Sequence, residues 1–516
     1  MNKKWKSLKF LEKRKEFADN KKKRLKKQNL RDTSPPDEEI NNLMEKFQNG
    51  QHSDAEELAK SLTQEFPKYQ LAWKILGILF GQTGRGTESL NANQKAVALS
   101  SQDAEAHSNL AITFIALGRL EEAEASFRRA IILKPNQARS FNNLGKTLKT
   151  IGRLEEAEAS FRQAIILKPD LAEAHRHLGF ILNAMGLKEG ALKHFERSLQ
   201  LERGTNSINL NHKSFKEISN AKLDHDIEQF EYLATSGYDI KKFQKLAKLY
   251  KTIKSEINHK SETDILTLSD KHQSLLRDTY NRPIHILEAP SLENSAIADN
   301  FDVNKITEDY FEHDFGLTYS DNFLSPTALK SLRDFLLGST IWFDLFHDGG
   351  YMGAYLAEGL ASPLVLQIEE DLRKKLPKIF KKHHLTHLWA YKYDSRASSK
   401  NNSYSGINAH ADFAAINVNF WITPKSANLN PSSGGLVVYN AEAPLEWDFH
   451  TYNNNEEKIR EEILKSNQKK TIVPYNDNRV VIFNSNLFHE SDNIEFKGGY
   501  KNRRINVTML FGRRRF

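Results

Sequence analysis

Two nearly identical stretches, "GRLEEAEASFRRAIILKPN" at 118–136 and "GRLEEAEASFRQAIILKPD" at 152–170, begin 34 residues apart. The same step runs through Gly50, Gly84, Gly118, Gly152 and Gly186. It also links Trp73, His107, Phe141 and His175; Gly77, Ala111, Gly145 and Gly179; and Ala96, Ala130, Ala164 and Ser198. Each period reads as a hairpin of two helices. The small residue lets the two helices approach, the turn glycine ends the first helix, and Pro135 and Pro169 stop the second helix of their units.

A 34-residue period with small residues at the helix–helix contacts resembles the tetratricopeptide repeat family. The resemblance implies an α-solenoid over residues 34–204, of about five units with the first degenerate. It also implies a groove that takes a protein or peptide.

Outside the array the composition is uneven. The opening "MNKKWKSLKFLEKRKEFADNKKKRLKKQNLR" holds fourteen Lys/Arg and three Asp/Glu, a local net of +11, while the whole chain carries +8. The basic character therefore belongs to an arm, 1–33, that suits an anionic surface, and the remainder is mildly acidic. A nucleic-acid substrate is disfavoured for the same reason. The chain has no cysteine, which excludes disulfides, thiolate metal sites and cysteine nucleophiles. With no apolar leader and no stretch of membrane-spanning length, the expected location is the cytoplasm. Residues 205–312 lose the period. There "DHDIEQFEYLATSG" and "DIKKFQKLAKLYKTIKSEI" read as amphipathic helices of a connector.

The last part, 313–516, changes character. "GLTYSDNFLSPTALKSLRDFLLGS" reads as a strand, a turn at Ser325-Pro326 and a helix. Short strands follow: "HLWAYKYD", "AINVNFWITP", "GGLVVYN", "RVVIFNSN" and "RRINVTMLFG". Such a series, broken by polar and glycine-rich segments, predicts a sandwich or barrel of the jelly-roll kind.

Within "GINAHADFAAINVNFWITP" (406–424), His410 and Asp412 sit at i and i+2, on one side of an extended segment. His489 follows an apolar strand further on. Two histidines and a carboxylate make the facial set that binds non-haem Fe(II) with positions left open. His450, in "EWDFHTYN", competes for the third place but lacks a strand before it. In "RRINVTMLFG", Arg504, Asn506 and Thr508 share one face and Ile505, Val507, Met509 and Phe511 the other. A polar strand face suits a cavity holding a carboxylate, which an arginine fork grips at two points. That alternation prefers Arg504 to Arg503, which suits a structural ion pair. Trp389, Tyr391 and Tyr393 share a strand face. Asn417 and Asn419 line either the cavity or the solvent side. His347, among Gly349, Gly350 and Gly353, marks either a lid or a plain connection.

This order of strands and residues resembles the Fe(II)/2-oxoglutarate-dependent oxygenase superfamily, prolyl hydroxylases in particular. The resemblance implies a double-stranded β-helix in which His410, Asp412 and His489 hold iron. It implies that Arg504 pairs with the distal carboxylate of 2-oxoglutarate, helped by Tyr393, Thr508 and Asn506. O2 is then the oxidant, with ascorbate as an optional reductant, and hydroxylation of a C–H bond is the default outcome. The run Arg504-x-Asn506-x-Thr508 is similar to a strand of nucleic-acid demethylases, but Leu510 stands where those carry a second arginine. The segment "SRASSKNNSYS" after Tyr393 is an addition to the pattern.

The chain as a whole is thus expected to be multidomain α + β: an α-solenoid, a helical connector and a jelly roll. Three readings stay open. One is an oxygenase whose array recruits a protein or peptide. Another is an oxygenase for a small molecule, lipid or glycan precursor, with the array serving assembly. The third is a non-catalytic repeat scaffold.

Overall fold

The computed structural model describes residues 34–205, 212–257, 264–344, 351–380, 382–394, 407–467 and 469–514. The basic arm, His347 and the added polar segment after Tyr393 lie outside the described residues. Two compact units divide the chain, Met1–Pro169 and Asp170–Phe516. No helix among the described residues is long and apolar enough to cross a membrane.

The first unit is a stack of helical hairpins: Asp37–Gln48 with His52–Glu65, Gln70–Gln82 with Gly86–Leu99, Ala104–Ala116 with Leu120–Leu133, and Ala138–Ile151 with Leu154–Leu167. The turn glycines at 50, 84, 118 and 152 all take positive φ, between 72° and 93°, a region costly for any residue with a Cβ. The small residues at the hairpin contacts are sterically required. A Cβ on Gly145 would lie 2.8 Å from the Phe161 ring, and one on Gly77 would meet the Asn93 side chain. Phe127 and Phe161, at equivalent places in the two near-identical stretches, are both fully buried.

The second unit begins with a fifth hairpin of the same kind, Ala172–Ala184 and Lys188–Arg203. Gly179 lies against Phe195 as Gly145 lies against Phe161. This hairpin packs onto the C-terminal region, where Lys188 pairs with Glu370 and Arg203 with Glu358. The connector helices Asn220–Thr235 and Ile240–Glu256 share a core of Phe230, Phe243, Leu246 and Tyr250. A two-stranded ribbon, β1 (Glu217–Ile218) with β2 (Leu266–Thr267), flanks them. The first of these helices is more buried than an amphipathic surface helix, with Lys222, His225, Asp226 and Gln229 all inside. They tie it to the sheet region: Gln229 donates to the Ser339 carbonyl at 2.8 Å.

The remaining strands are β3 (Leu317–Ser320), β4 (Tyr351–Tyr355), β5 (Leu385–Tyr393), β6 (Ile416–Trp421), β7 (Leu436–Glu442), β8 (Lys470–Val473), β9 (Val480–Asn484), β10 (Leu487–Ser491) and β11 (Arg504–Phe511). They form two antiparallel sheets, ordered β3-β9-β6-β11-β5-β4 and β10-β7-β8. One apolar cluster draws on both sheets: Leu317, Trp421, Val481 and Phe483 from the larger, Leu436, Val438, Val473 and Leu487 from the smaller. Ser325 caps the helix Pro326–Gly338 by accepting from the Ala328 amide, with Pro326 in the first turn, as the Ser-Pro pair predicts.

Candidate metal centre

Three neighbouring strands present one polar inner face. β11 lies between β5 and β6, so Arg504 stands opposite Tyr393, Asn506 between Tyr391 and Trp421, and Thr508 between Trp389 and Asn419. The period of two gathers Arg504, Asn506 and Thr508 on this face, all buried.

At the edge of this face, His410 and His489 are locked together by backbone. The His410 amide donates to the His489 carbonyl at 3.0 Å, and the His489 amide returns the bond at 2.8 Å. Asp412 is fixed in turn by its amide, which donates to the Ser485 carbonyl at 3.0 Å. The ligand atoms of His410, Asp412 and His489 all lie within 4.8 Å of one another. His450, the competitor, is exposed on the helix Phe449–Asn454 and takes no part.

The donor set fits a metal ion. His410 Nδ1 lies 2.8 Å from the Asn408 carbonyl and His489 Nδ1 lies 3.0 Å from the Leu487 carbonyl. A carbonyl only accepts, so both Nδ1 atoms carry protons, and in the neutral form of each ring the lone pair falls on Nε2. Those Nε2 atoms face Asp412, at 4.0 Å from His410 and 3.5 Å from His489. Burial first, then the neighbouring His489, pushes the His410 imidazolium down to about 4. Burial alone would raise Asp412. Hydrogen bonding and charge from the two imidazoles and the Asn417 amide outweigh it and hold the carboxyl below its ordinary value. A divalent cation bound here would take the place of those imidazole contacts on Asp412, with the rings as neutral donors and the carboxylate ionised.

Arg504 supplies a second pole. It is buried, and it donates from Nε to the Gly434 carbonyl at 2.7 Å and from Nη2 to the Gly435 carbonyl at 3.2 Å. Its Nη1 has no hydrogen-bond partner, and no carboxylate pairs with it among the described residues. The guanidinium lies 4.9 Å from the Tyr393 ring and 5.6 Å from Trp421. Burial lowers its affinity for a proton, partly offset by Tyr393 and Tyr475. Arg503 does the opposite work. It pairs with Glu228 at 2.9 Å and with Asp394 at 2.8 Å, an ion-pair node of the fold.

Two features were not assigned from sequence alone. Gly434 has φ +83°, and a Cβ on Gly435 would fall 1.9 Å from the Val473 carbonyl, so only this Gly-Gly pair can bring its carbonyls to Arg504. The signal was present in "GGLVVYN". Asn417 and Asn419, left between cavity and solvent, turn inward and are buried. Thr508 spends its hydroxyl on Asn419 Oδ1 at 2.7 Å, and Asn506 donates to the same oxygen at 3.3 Å, leaving its own Oδ1 without a partner.

Comparison with known proteins bears on the helical part. Tetratricopeptide repeat family models match residues 102–167 and, separately, 44–104 and 142–206. Residues 44–206 are tetratricopeptide repeats. No curated protein matches the chain. Among similar solved structures, a crystal structure of MamA is 23% identical over 31% of this chain and 92% of its own, with a TM-score of 0.29. MamA 41-end from Desulfovibrio magneticus RS-1 is 20% identical, covering 33% and 96%, with a TM-score of 0.31. A thermophilic TPR protein of Thermus thermophilus is 22% identical, covering 32% and 89%, with a TM-score of 0.28.

Proposed function

We propose that the chain is an Fe(II)- and 2-oxoglutarate-dependent oxygenase of the hydroxylase type. In this reading the two antiparallel sheets form a jelly roll, and the tetratricopeptide repeats recruit a protein or peptide. Charge arithmetic in a buried site is the observation that carries it. A divalent cation on Asp412 and two neutral imidazoles leaves +1, and Arg504, which forms no ion pair among the described residues, adds +1. A dicarboxylate reaching both poles neutralises the pair, and a buried charge demands such compensation. 2-Oxoglutarate is a dianion with a chelating keto acid at one end.

Held there, Fe(II) supplies reductive O2 chemistry coupled to decarboxylation of 2-oxoglutarate to succinate and CO2, with hydroxylation of a substrate C–H bond. The protein's part follows from its own residues. His410 and His489 present Nε2 lone pairs because Asn408 and Leu487 hold their Nδ1 protons. Asp412 contributes the single negative charge. Arg504 offers its unpartnered Nη1 to a carboxylate, with the Tyr393 ring beside it. Trp421, Phe483 and Leu487, all buried, limit water on this face.

The test is an anaerobic titration of metal-free protein with Fe(II) and then 2-oxoglutarate, following the visible charge-transfer band of the chelate. The band is expected with the wild type, lost in His410→Ala, and reached only at higher 2-oxoglutarate in Arg504→Ala. No band despite bound iron would point to another metal oxygenase, and absence of iron binding would leave a scaffold. Recruitment is tested by mass spectrometry of partners that co-purify: a gain of one oxygen, dependent on His410, is expected.

A further inference from the structure

Asp412 is not left to orient itself. Asn417 Nδ2 donates to Asp412 Oδ2 at 2.5 Å, Asn419 Nδ2 donates to Asn417 Oδ1 at 2.6 Å, and Thr508 Oγ1 donates to Asn419 Oδ1 at 2.7 Å. Chemistry forces the direction of this chain. An ionised carboxylate only accepts, so Asn417 must turn its NH2 toward Asp412. Its carbonyl oxygen is then left for the Asn419 NH2, and the Asn419 oxygen for the Thr508 hydroxyl. Three donors in series point at one carboxylate oxygen. Each polarises the next in a site shielded from water, where Asn417 is fully buried and Asn419 and Thr508 nearly so.

We propose that Asn417 is a positioning residue for Asp412, and that Asn419 and Thr508 complete a one-way relay that fixes the carboxylate for a divalent cation. The inference rests on the metal-binding reading of His410, Asp412 and His489. Asn417 occupies Oδ2, while Oδ1 takes no hydrogen bond from the described residues. The carboxylate is thereby held against rotation with one oxygen committed to the protein. The relay also joins two strands of the site, since Asn417 and Asn419 lie on β6 and Thr508 on β11, four residues from Arg504. Partners of this kind typically govern metal affinity by about 10- to 100-fold.

The experiment measures the dissociation constant and visible spectrum of Co(II), used as an oxygen-stable probe, together with the thermal midpoint of the metal-free protein. It compares the wild type, Asn417→Ala, Asn419→Leu and Val418→Ala. Asn417→Ala is expected to weaken Co(II) by roughly 10- to 100-fold and to shift the ligand-field bands. Asn419→Leu is expected to give a smaller loss. Val418, on the opposite face of the same strand and fully buried, is the control: its truncation lowers the midpoint and leaves affinity unchanged. Unaltered binding in Asn417→Ala would overturn the relay while leaving the metal site standing. So would a loss of affinity in Val418→Ala that tracks the midpoint. If Asn417→Ala does not fold, Asn419→Leu decides: weaker binding upholds the relay and unchanged binding overturns it. A wild type that takes up no Co(II) would remove the metal site and the relay together.

Discussion

Lys392 donates to the Tyr500 hydroxyl at 2.7 Å, fully enclosed, and no carboxylate pairs with it among the described residues. Its ammonium lies 4.1 Å from the Trp342 ring, and His225 Nε2 is 3.3 Å away. Burial, and then the charge of Arg503, pulls this lysine well below its ordinary range. Between that lowered value and the ordinary one near 10.4, the unfolded chain binds a proton that the folded chain does not. Stability should therefore rise with pH across this window. Urea unfolding from neutral to mildly alkaline pH is expected to give rising midpoints, with a shallower slope in Lys392→Met. Equal slopes in the two proteins would refute the assignment.

The adjacent arginines should separate stability from ligand binding. Arg503→Ala removes the ion pairs to Glu228 and Asp394 and should lower the unfolding midpoint, at a cost of about 3–5 kcal/mol for breaking a buried pair from one side. Arg504→Ala removes no ion pair. It should lower the unfolding midpoint less than Arg503→Ala, through the two carbonyl bonds it gives up, and weaken 2-oxoglutarate by roughly 10- to 100-fold, the loss of about 1.5–3 kcal/mol from a charge-assisted bond. Calorimetric unfolding beside chelate-band titration reads both effects.

Gly435→Ala tests the arginine cradle from its other side. The added Cβ meets the Val473 carbonyl, so the turn must shift and move the two carbonyls off Arg504. Weaker 2-oxoglutarate binding is expected with metal affinity retained. Equal loss of both would mean that the turn supports the whole site.

In the array, Gly145→Ala sets two effects against each other. Alanine favours a helix interior by roughly 0.5–1 kcal/mol. Overpacking against the Phe161 ring costs about 1–3 kcal/mol. The thermal midpoint should fall, and Phe161→Leu in the same chain should return part of the loss. A rise in the single variant would show that the hairpin has room to open.

Much of this was legible in the sequence because the signals were periodic. The 34-residue step located five hairpins, and the strand period of two placed Arg504, Asn506 and Thr508 on one face. The i, i+2 spacing of His410 and Asp412 put them on the same side, and the structure brings His489 to them. What was not legible depends on contacts across sequence distance. His489 was expected just beyond a strand. It lies within β10, whose pairing with β7 and with His410 no local pattern encodes. The strand β4 was hidden because Tyr351–Tyr355 follows a glycine-rich stretch that reads as a loop. The inward turn of Asn417 and Asn419 followed only once β11 was known to lie beside β6, because alternation alone cannot say which face is the cavity.

The fifth hairpin has a practical bearing on where the chain can be cut. Sequence period alone would place the end of the repeats near residue 204. Yet Lys188 and Arg203 of this hairpin are bonded to Glu370 and Glu358, and the Arg203 guanidinium lies 4.3 Å from the Phe343 ring. Arg282 also donates to the Arg203 carbonyl at 3.0 Å. A fragment starting at Thr205 would lose these partners and bare the apolar surface they cover. One starting at Asp170 keeps them, and is the shortened protein in which the chemistry should be sought without the first four hairpins.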